Sequence, residues 1–279
     1  MTIGIVGLGL IGGSLALDLK SQIHVQILGV DDNPLHCKEA IRLQLVHELV
    51  NLEEMIRRAE CIILAIPVDA IENLLPEILD QLRESQMVTD VGSTKKEICK
   101  AVENHPLRNR YVAAHPLAGT EFSGPSAAIS QLFRGKKNII CEREKSDADA
   151  IEMVEKVFSS VGLTTFYLNP DEHDKHLAYV SHLSHVSSFM LGLTVLDIEK
   201  DERQIFNLAS TGFSSTVRLA KSNPLTWSAI FSKNRHHLVT ALNSYIQYLT
   251  LFRDAIRDND RGGAEQLMKE ANDIKRILK

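Results

Sequence analysis

The chain has 279 residues, a formal net charge of −5, and 24% charged against 44% hydrophobic residues. That balance excludes a disordered chain, and with no lysine- or arginine-rich block a nucleic-acid partner is not expected. The length suffices for two domains or one large one. Cys37, Cys61, Cys99 and Cys141 form no C-x-x-C pair and read as reduced thiols of a cytoplasmic protein.

Taken in chain order, residues 3–6 form the first β-branched run, and it is predicted to be a strand. No basic segment precedes this apolar stretch and glycines interrupt it, so it is not expected to be a signal peptide. Gly7, Gly9 and Gly12 come next as G-x-G-x-x-G, directly before a helix that Leu10 and Ile11 open. In that context Gly7 allows a tight turn, Gly9 lets the backbone approach a pyrophosphate, and Gly12 lets helix and strand pack closely. The N–H groups at the helix start supply an anion site. A second strand over 25–30 leads to Asp31, at the spacing where a carboxylate accepts both ribose hydroxyls of NAD and repels the 2′-phosphate of NADP. The alternative is that Asp31 only caps the next helix, a role better suited to Asp32 or Asn33.

Further strands are predicted at 61–66, 87–91, 111–114, 138–141 and 164–168, alternating with amphipathic segments at 70–82, 95–103 and 147–160. This is the pattern of a Rossmann-type α/β domain with a mostly parallel sheet, assigned to residues 1–168. Pro67 closes one of the strands, where the loop is expected to cover the cofactor. From residue 169 the pattern turns all-helical, with segments at 172–200, 203–221, 227–258 and 263–278, and residues 169–279 are assigned to a second, helical domain. Residues 177–196 carry no Asp, Glu, Lys or Arg, the length of a membrane span. His182, His185 and four serines within it favour a helix buried on all sides in a soluble protein, so no membrane partner is expected. Burying such a helix in so small a domain leaves apolar surface over. A homodimer through the helical domain would cover it.

Among eleven histidines, His24, His36, His47 and His105 have nothing convergent beside them and read as structural. His115 differs, because it ends the strand at 111–114 on the side where cofactor and substrate meet. Its ordinary pKa suits removal of a hydroxyl proton near neutral pH. Ser93 ends the neighbouring strand and either orients the imidazole, caps the helix beginning at Thr94, or does both. His182 and His185 share a helix face but lack a third ligand, so a metal site is rejected.

The sequence resembles the prephenate/arogenate dehydrogenase family. The resemblance rests on Gly7-Leu8-Gly9-Leu10-Ile11-Gly12-Gly13-Ser14, on Thr89-Asp90-Val91-Gly92-Ser93, on His115-Pro116-Leu117-Ala118-Gly119-Thr120-Glu121, on Ser181-His182-Leu183-Ser184-His185, and on Thr211-Gly212-Phe213 with Arg218-Leu219-Ala220. It implies a NAD-dependent oxidative decarboxylation in tyrosine biosynthesis, in which hydride leaves C4 of a cyclohexadienol ring that loses CO2 and becomes aromatic. It implies that His115 takes the C4 hydroxyl proton and that Ser93 positions His115 and the nicotinamide. It implies that Arg218 holds a substrate carboxylate, and that His185, Thr120 and Glu121 line the same pocket. Without the resemblance Arg218 reads as a surface arginine, although a fork-shaped guanidinium suits a carboxylate. The expected substrate is prephenate. The alternatives are arogenate, a 3-hydroxyacid-type dehydrogenase, and a NAD-binding regulator without catalysis.

Overall fold

The computed structural model describes residues 1–22, 25–199 and 210–276. His24, residues 200 and 203–209 of the expected helical segments, and the end of the segment at 263–278 lie outside the described residues. Two compact units form, Met1–Asn234 and Arg235–Lys279.

The first unit opens with β1 (Thr2–Val6), α1 (Leu10–Gln22), β2 (Gln26–Val30), α2 (Pro34–Arg42), β3 (Glu48–Leu49), α3 (Leu52–Arg58), β4 (Cys61–Leu64) and α4 (Val68–Leu79). It continues with β5 (Met87–Asp90), α5 (Lys96–Ala101), β6 (Tyr111–Pro116), β7 (Lys137–Cys141), α6 (Ala148–Ser160) and β8 (Thr164–Leu168). The eight strands form one sheet in the order β3-β2-β1-β4-β5-β6-β7-β8. All pairs are parallel except β6–β7, where His115 lies opposite Ile139. An antiparallel neighbour needs no helical crossover, so β6 and β7 are joined by a loop with one 3-10 turn, Pro125–Ala127.

Side chains alternate across the sheet, so each strand feeds two cores. Ile3, Ile5, Ile63 and Val112 join Leu15, Leu19 and Phe158 on one face. Val6, Ile62, Leu64 and Tyr111 join Ile71, Leu75 and Ile98 on the other. A sheet covered on both faces explains why its central strands read as unbroken apolar runs. The order reverses at β1, which has β2 on one side and β4 on the other. A crevice beyond the carboxyl ends of the strands at such a point is where α/β proteins bind ligands.

Beyond the sheet the chain is helical: α7 (Pro170–Leu177), a π turn at Ala178–His182, α8 (Leu183–Glu199), α9 (Thr211–Thr216), a 3-10 turn at Arg218–Lys221 and α10 (Pro224–Lys233). The second unit holds α11 (Arg235–Arg257), α12 (Arg261–Ala271) and the turn Asn272–Arg276. Two expected segments are interrupted. The π turn divides 172–200, and Asn234 leaves helical geometry and divides 227–258. Asn234 breaks the helix because its amide is drawn inward, donating to the Asp174 carbonyl at 2.6 Å and meeting His182 Nδ1 at 3.1 Å.

The expectation that the uncharged helix is buried on all sides is corrected. On α8, Ser188 is buried and donates to the Thr216 carbonyl, whereas Met190 and Leu193 are 50% and 54% exposed. The turn Arg218–Lys221 packs against α8, and Leu191, Leu196 and Ile198 of the helix are exposed as well. Among the described residues no helix is long and apolar enough to cross a membrane.

Candidate active site

The glycine loop lies between β1 and α1 at the sheet reversal. Gly7 has φ +92°, and a Cβ there would sit 2.4 Å from the Ala65 carbonyl oxygen. A Cβ on Gly12 would come within 1.9 Å of the Gly7 carbonyl oxygen. Around Gly9, by contrast, a Cβ would meet nothing within 4 Å. So Gly7 and Gly12 are required by the protein's own packing, while Gly9 borders open space in front of the α1 N-terminus. Leu10 and Ile11 open that helix, with amide N–H groups that have no intrahelical acceptor. Pro67 follows β4 at the start of α4, one residue after Ile66, whose side chain packs against Gly7.

Asp31 follows β2, largely buried. Its Oδ2 accepts from Leu8 N–H at 2.8 Å and its Oδ1 from Asn33 N–H at 3.0 Å, with His36 Nδ1 3.2 Å from Oδ1. The cap of α2 is Asn33, accepting from Leu35 N–H. Asp31 is thus tied to the glycine loop and leaves the capping to its neighbour. The open space at Gly9, the free N–H groups of α1 and a carboxylate at the end of β2 fit a dinucleotide.

His115 lies at the carboxyl end of β6, buried. Its Nδ1 is 2.8 Å from His173 Nε2, and His173 Nδ1 is 2.7 Å from Asp174 Oδ1. Asp174 Oδ1 also accepts from Lys95 N–H at 2.8 Å, and Oδ2 from Lys96 N–H at 3.0 Å. These contacts fix the tautomers. A carboxylate accepts, so His173 donates from Nδ1 and accepts at Nε2. His115 then donates from Nδ1, which leaves its Nε2 with a free lone pair. Burial pushes the His115 pKa well below 6.5, reinforced by His173 and by the Lys95 ammonium. Burial also lowers His173, against the opposing pull of Asp174.

Ser93 is half-buried, and its hydroxyl makes no hydrogen bond among the described residues. The hydroxyl is hydrogen-bonded neither to the His115 ring nor to the start of α5 among the described residues. The ring that meets His115 is His173, brought there by α7. The N-terminus of α5 is capped by Asp174 and receives no side-chain cap from its own segment.

On the other side of the cluster Arg218, half exposed, donates from Nη1 to Glu121 Oε2 at 2.6 Å. A backbone hydrogen bond from its own N–H first, and then the Arg218 pairing, hold the Glu121 carboxyl below its usual range. Thr120 Oγ1 accepts from Phe122 N–H at 3.3 Å, shaping the same loop. His185 stacks on Trp227 with ring centroids 3.3 Å apart, and its Nδ1 meets the Ser181 carbonyl. His182 is fully buried, its pKa pushed down to about 4 mainly by burial, and its Nε2 has no hydrogen-bond partner among the described residues. Among the described residues no three His, Cys, Asp or Glu side chains are grouped to hold a metal ion. Burial is the largest influence lowering the pKa of each of His115, His173, His182 and His185.

Residues 15–167 match the family model described as "Prephenate dehydrogenase, nucleotide-binding domain", and residues 169–270 match "Prephenate dehydrogenase, dimerization domain". The chain belongs to the prephenate dehydrogenase family. Members of this family are oxidoreductases of aromatic amino acid biosynthesis, and so is this chain. It is 28% identical to the cyclohexadienyl dehydrogenase of Zymomonas mobilis, over 99% of this chain and 96% of that one. It is 27% identical to the prephenate dehydrogenase of Bacillus subtilis, over 98% and 75%. Among solved structures it is similar to prephenate dehydrogenase from A. aeolicus in complex with hydroxyphenyl propionate and NAD+, at 30% identity, TM-score 0.89, and 99% and 97% coverage. It is also similar to Synechocystis arogenate dehydrogenase, at 27% identity, TM-score 0.75 and full coverage of both chains.

Within this prephenate dehydrogenase family member, the structure brings His173, Asp174 and Lys95 to the site, three residues that sequence reasoning missed. The available signal was the pair His173-Asp174 in the first turns after the Pro170 helix start.

Proposed function

We propose that the chain oxidatively decarboxylates prephenate to 4-hydroxyphenylpyruvate, with NAD as the cofactor. The observation that carries this reading is the His115–His173–Asp174 chain, because it leaves an acceptor nitrogen at the carboxyl end of β6. NAD, when bound, supplies the hydride acceptor. Gly7, Gly9 and Gly12, with Leu10 and Ile11 at the α1 N-terminus, hold its phosphates, Asp31 holds the adenosine ribose, and Pro67 borders it. His115 Nε2 takes the C4 hydroxyl proton as hydride leaves C4. The C1 carboxylate departs as CO2, its bonding pair closes the aromatic ring, and His115 returns the proton to the phenolate oxygen so formed. Ser93, three residues beyond β5, helps to position His115 and the nicotinamide. Arg218 binds a substrate carboxylate through guanidinium N–H groups that Glu121 does not use, and the Glu121 contact aims the fork. His185, Thr120 and Glu121 complete the pocket wall.

The deciding experiment is a paired assay of prephenate and arogenate, each with NAD and with NADP, monitored by reduced-nicotinamide absorbance. Prephenate with NAD is expected to give the highest kcat/KM. A chain that turns over arogenate alone replaces the substrate assignment, and one inert toward both overturns the reading.

We also infer a division into residues 1–168 and 169–279 by role, the second serving as the substrate and dimerisation part. Apolar side chains stand exposed on α8 (Met190, Leu193, Ile198) and on α11 (Ile246, Leu249, Ile256). A second copy of the chain would cover them. Sedimentation is expected to give a dimer, and monomer alone at micromolar concentration would remove that inference. The free thiols, with Cys61, Cys99 and Cys141 buried, support a reducing, cytoplasmic setting.

A further inference from the structure

Lys95 is buried completely, and so is Asp90, with which its ammonium is paired. Tyr111 donates its hydroxyl to Asp90 Oδ1 at 2.7 Å, Gly92 N–H donates to Oδ2 at 2.8 Å, and Ala114 N–H reaches Oδ1 at 3.3 Å. Taking an ion pair this deep costs desolvation that its attraction barely repays, and apolar replacements are often as stable or more so. Its contribution to stability is therefore a weak reason for it. Its geometry offers a better one. The Lys95 ammonium donates to the Ala114 carbonyl at 2.7 Å, the peptide group that leads directly into His115. The backbone N–H of the same residue donates to Asp174 Oδ1, the carboxylate that orients His173. Among the described residues, Lys95 is thus bonded to both sides of the His115–His173 contact, one on β6 and the other on α7.

We propose that Lys95 is a positioning residue. Its two-ended attachment, anchored by the buried Asp90–Tyr111 pedestal, sets the separation of β6 and α7 and so holds His115 Nδ1 against His173 Nε2. This rests on the proposed role of His115 as the base. A ring displaced by a fraction of an ångström loses alignment with the hydroxyl it must deprotonate, and such displacements are costly in rate. The groups that face His115 are Lys95, His173 and His182, with Asp90 and Asp174 behind them. Removing the ammonium removes one of the influences that lower the His115 pKa.

The test is Lys95→Met beside the neutral pair Asp90→Asn with Lys95→Gln, whose amide is too short to hold both partners. Expected in both is a kcat lower by about tenfold or more with KM for substrate and NAD unchanged. In Lys95→Met the acid limb of the kcat profile also moves to higher pH. The titration of His115, monitored by NMR on protein carrying isotope-labelled histidine, moves the same way and needs no substrate. A folded variant with wild-type kcat and an unmoved His115 titration overturns the proposal. So does recovery of kcat in the double variant, which would make Lys95 a mere charge partner of Asp90. So does failure of both variants to fold, which assigns Lys95 to the core. Wild-type kcat in Lys95→Met beside a large loss in His115→Asn defeats this inference alone. An inactive wild-type chain defeats the functional reading, and the His115 titration still decides this one.

Discussion

Replacing His115 with asparagine is expected to lower kcat by about two orders of magnitude or more, since removing a positioned base typically costs that much. Asparagine can still donate toward His173, so the fold and NAD affinity should be retained. The loss should therefore fall on kcat. The pH profile gives a second readout. His115 must be neutral to accept a proton, and its pKa is held well below 6.5, first by burial and then by His173 and Lys95. Activity should persist on the acid side of an ordinary imidazole titration and fall only as pH drops through the depressed value. That limb should vanish in the asparagine variant. Near-normal turnover in His115→Asn is incompatible with the assigned role.

Gly12→Ala should act on fold and cofactor together. Its Cβ would stand 1.9 Å from the Gly7 carbonyl oxygen, a backbone atom that cannot swing aside. Helix α1 must back away from β1, at a cost of about 1–3 kcal/mol in stability, the usual range for an overpacked site. The displaced N–H groups also leave the phosphate position, so NAD affinity should fall by about tenfold or more, or about 1.4 kcal/mol. Gly9→Ala separates the two effects. Nothing in the free chain lies within 4 Å of its added Cβ, so thermal unfolding should stay near wild type while NAD titration weakens. Wild-type NAD affinity in Gly9→Ala would mean that the space before α1 is not the phosphate site.

The contrast between those two glycines shows what a sequence makes legible. The loop, its flanking strand and helix, and Asp31 form a dense local pattern whose spacing carries its own geometry, and each element appears where the spacing puts it. Seven of the eight strands were likewise marked by apolar runs, and Glu48–Leu49 was missed because two residues carry no periodicity. The partner of His115 was not legible. His173 lies 58 residues later, in a helix whose residues are mostly charged or polar, and nothing local says that His173 and Asp174 face inward while Asp171 and Lys175 do not. Lys95 and Lys96 are identical letters in sequence, yet one is fully buried and the other reaches outward to Asp171. Burial of a polar side chain is decided by what folds against it, and here that was an element beyond the last strand. The break at Asn234 has the same origin, since asparagine tolerates a helix until distant acceptors draw its amide away.

The contact between His115 and His173 crosses from the last part of the sheet into the first helix beyond it. Strand and helix therefore hold one half each of the proposed proton acceptor. A chain severed between Leu168 and Asn169 would yield one fragment that keeps a nucleotide crevice but has an imidazole free to choose either tautomer, and another that keeps the choosing group with nothing to instruct. Reactivity here belongs to the seam, and evolution could not exchange either half for a foreign one without carrying that pair of rings across.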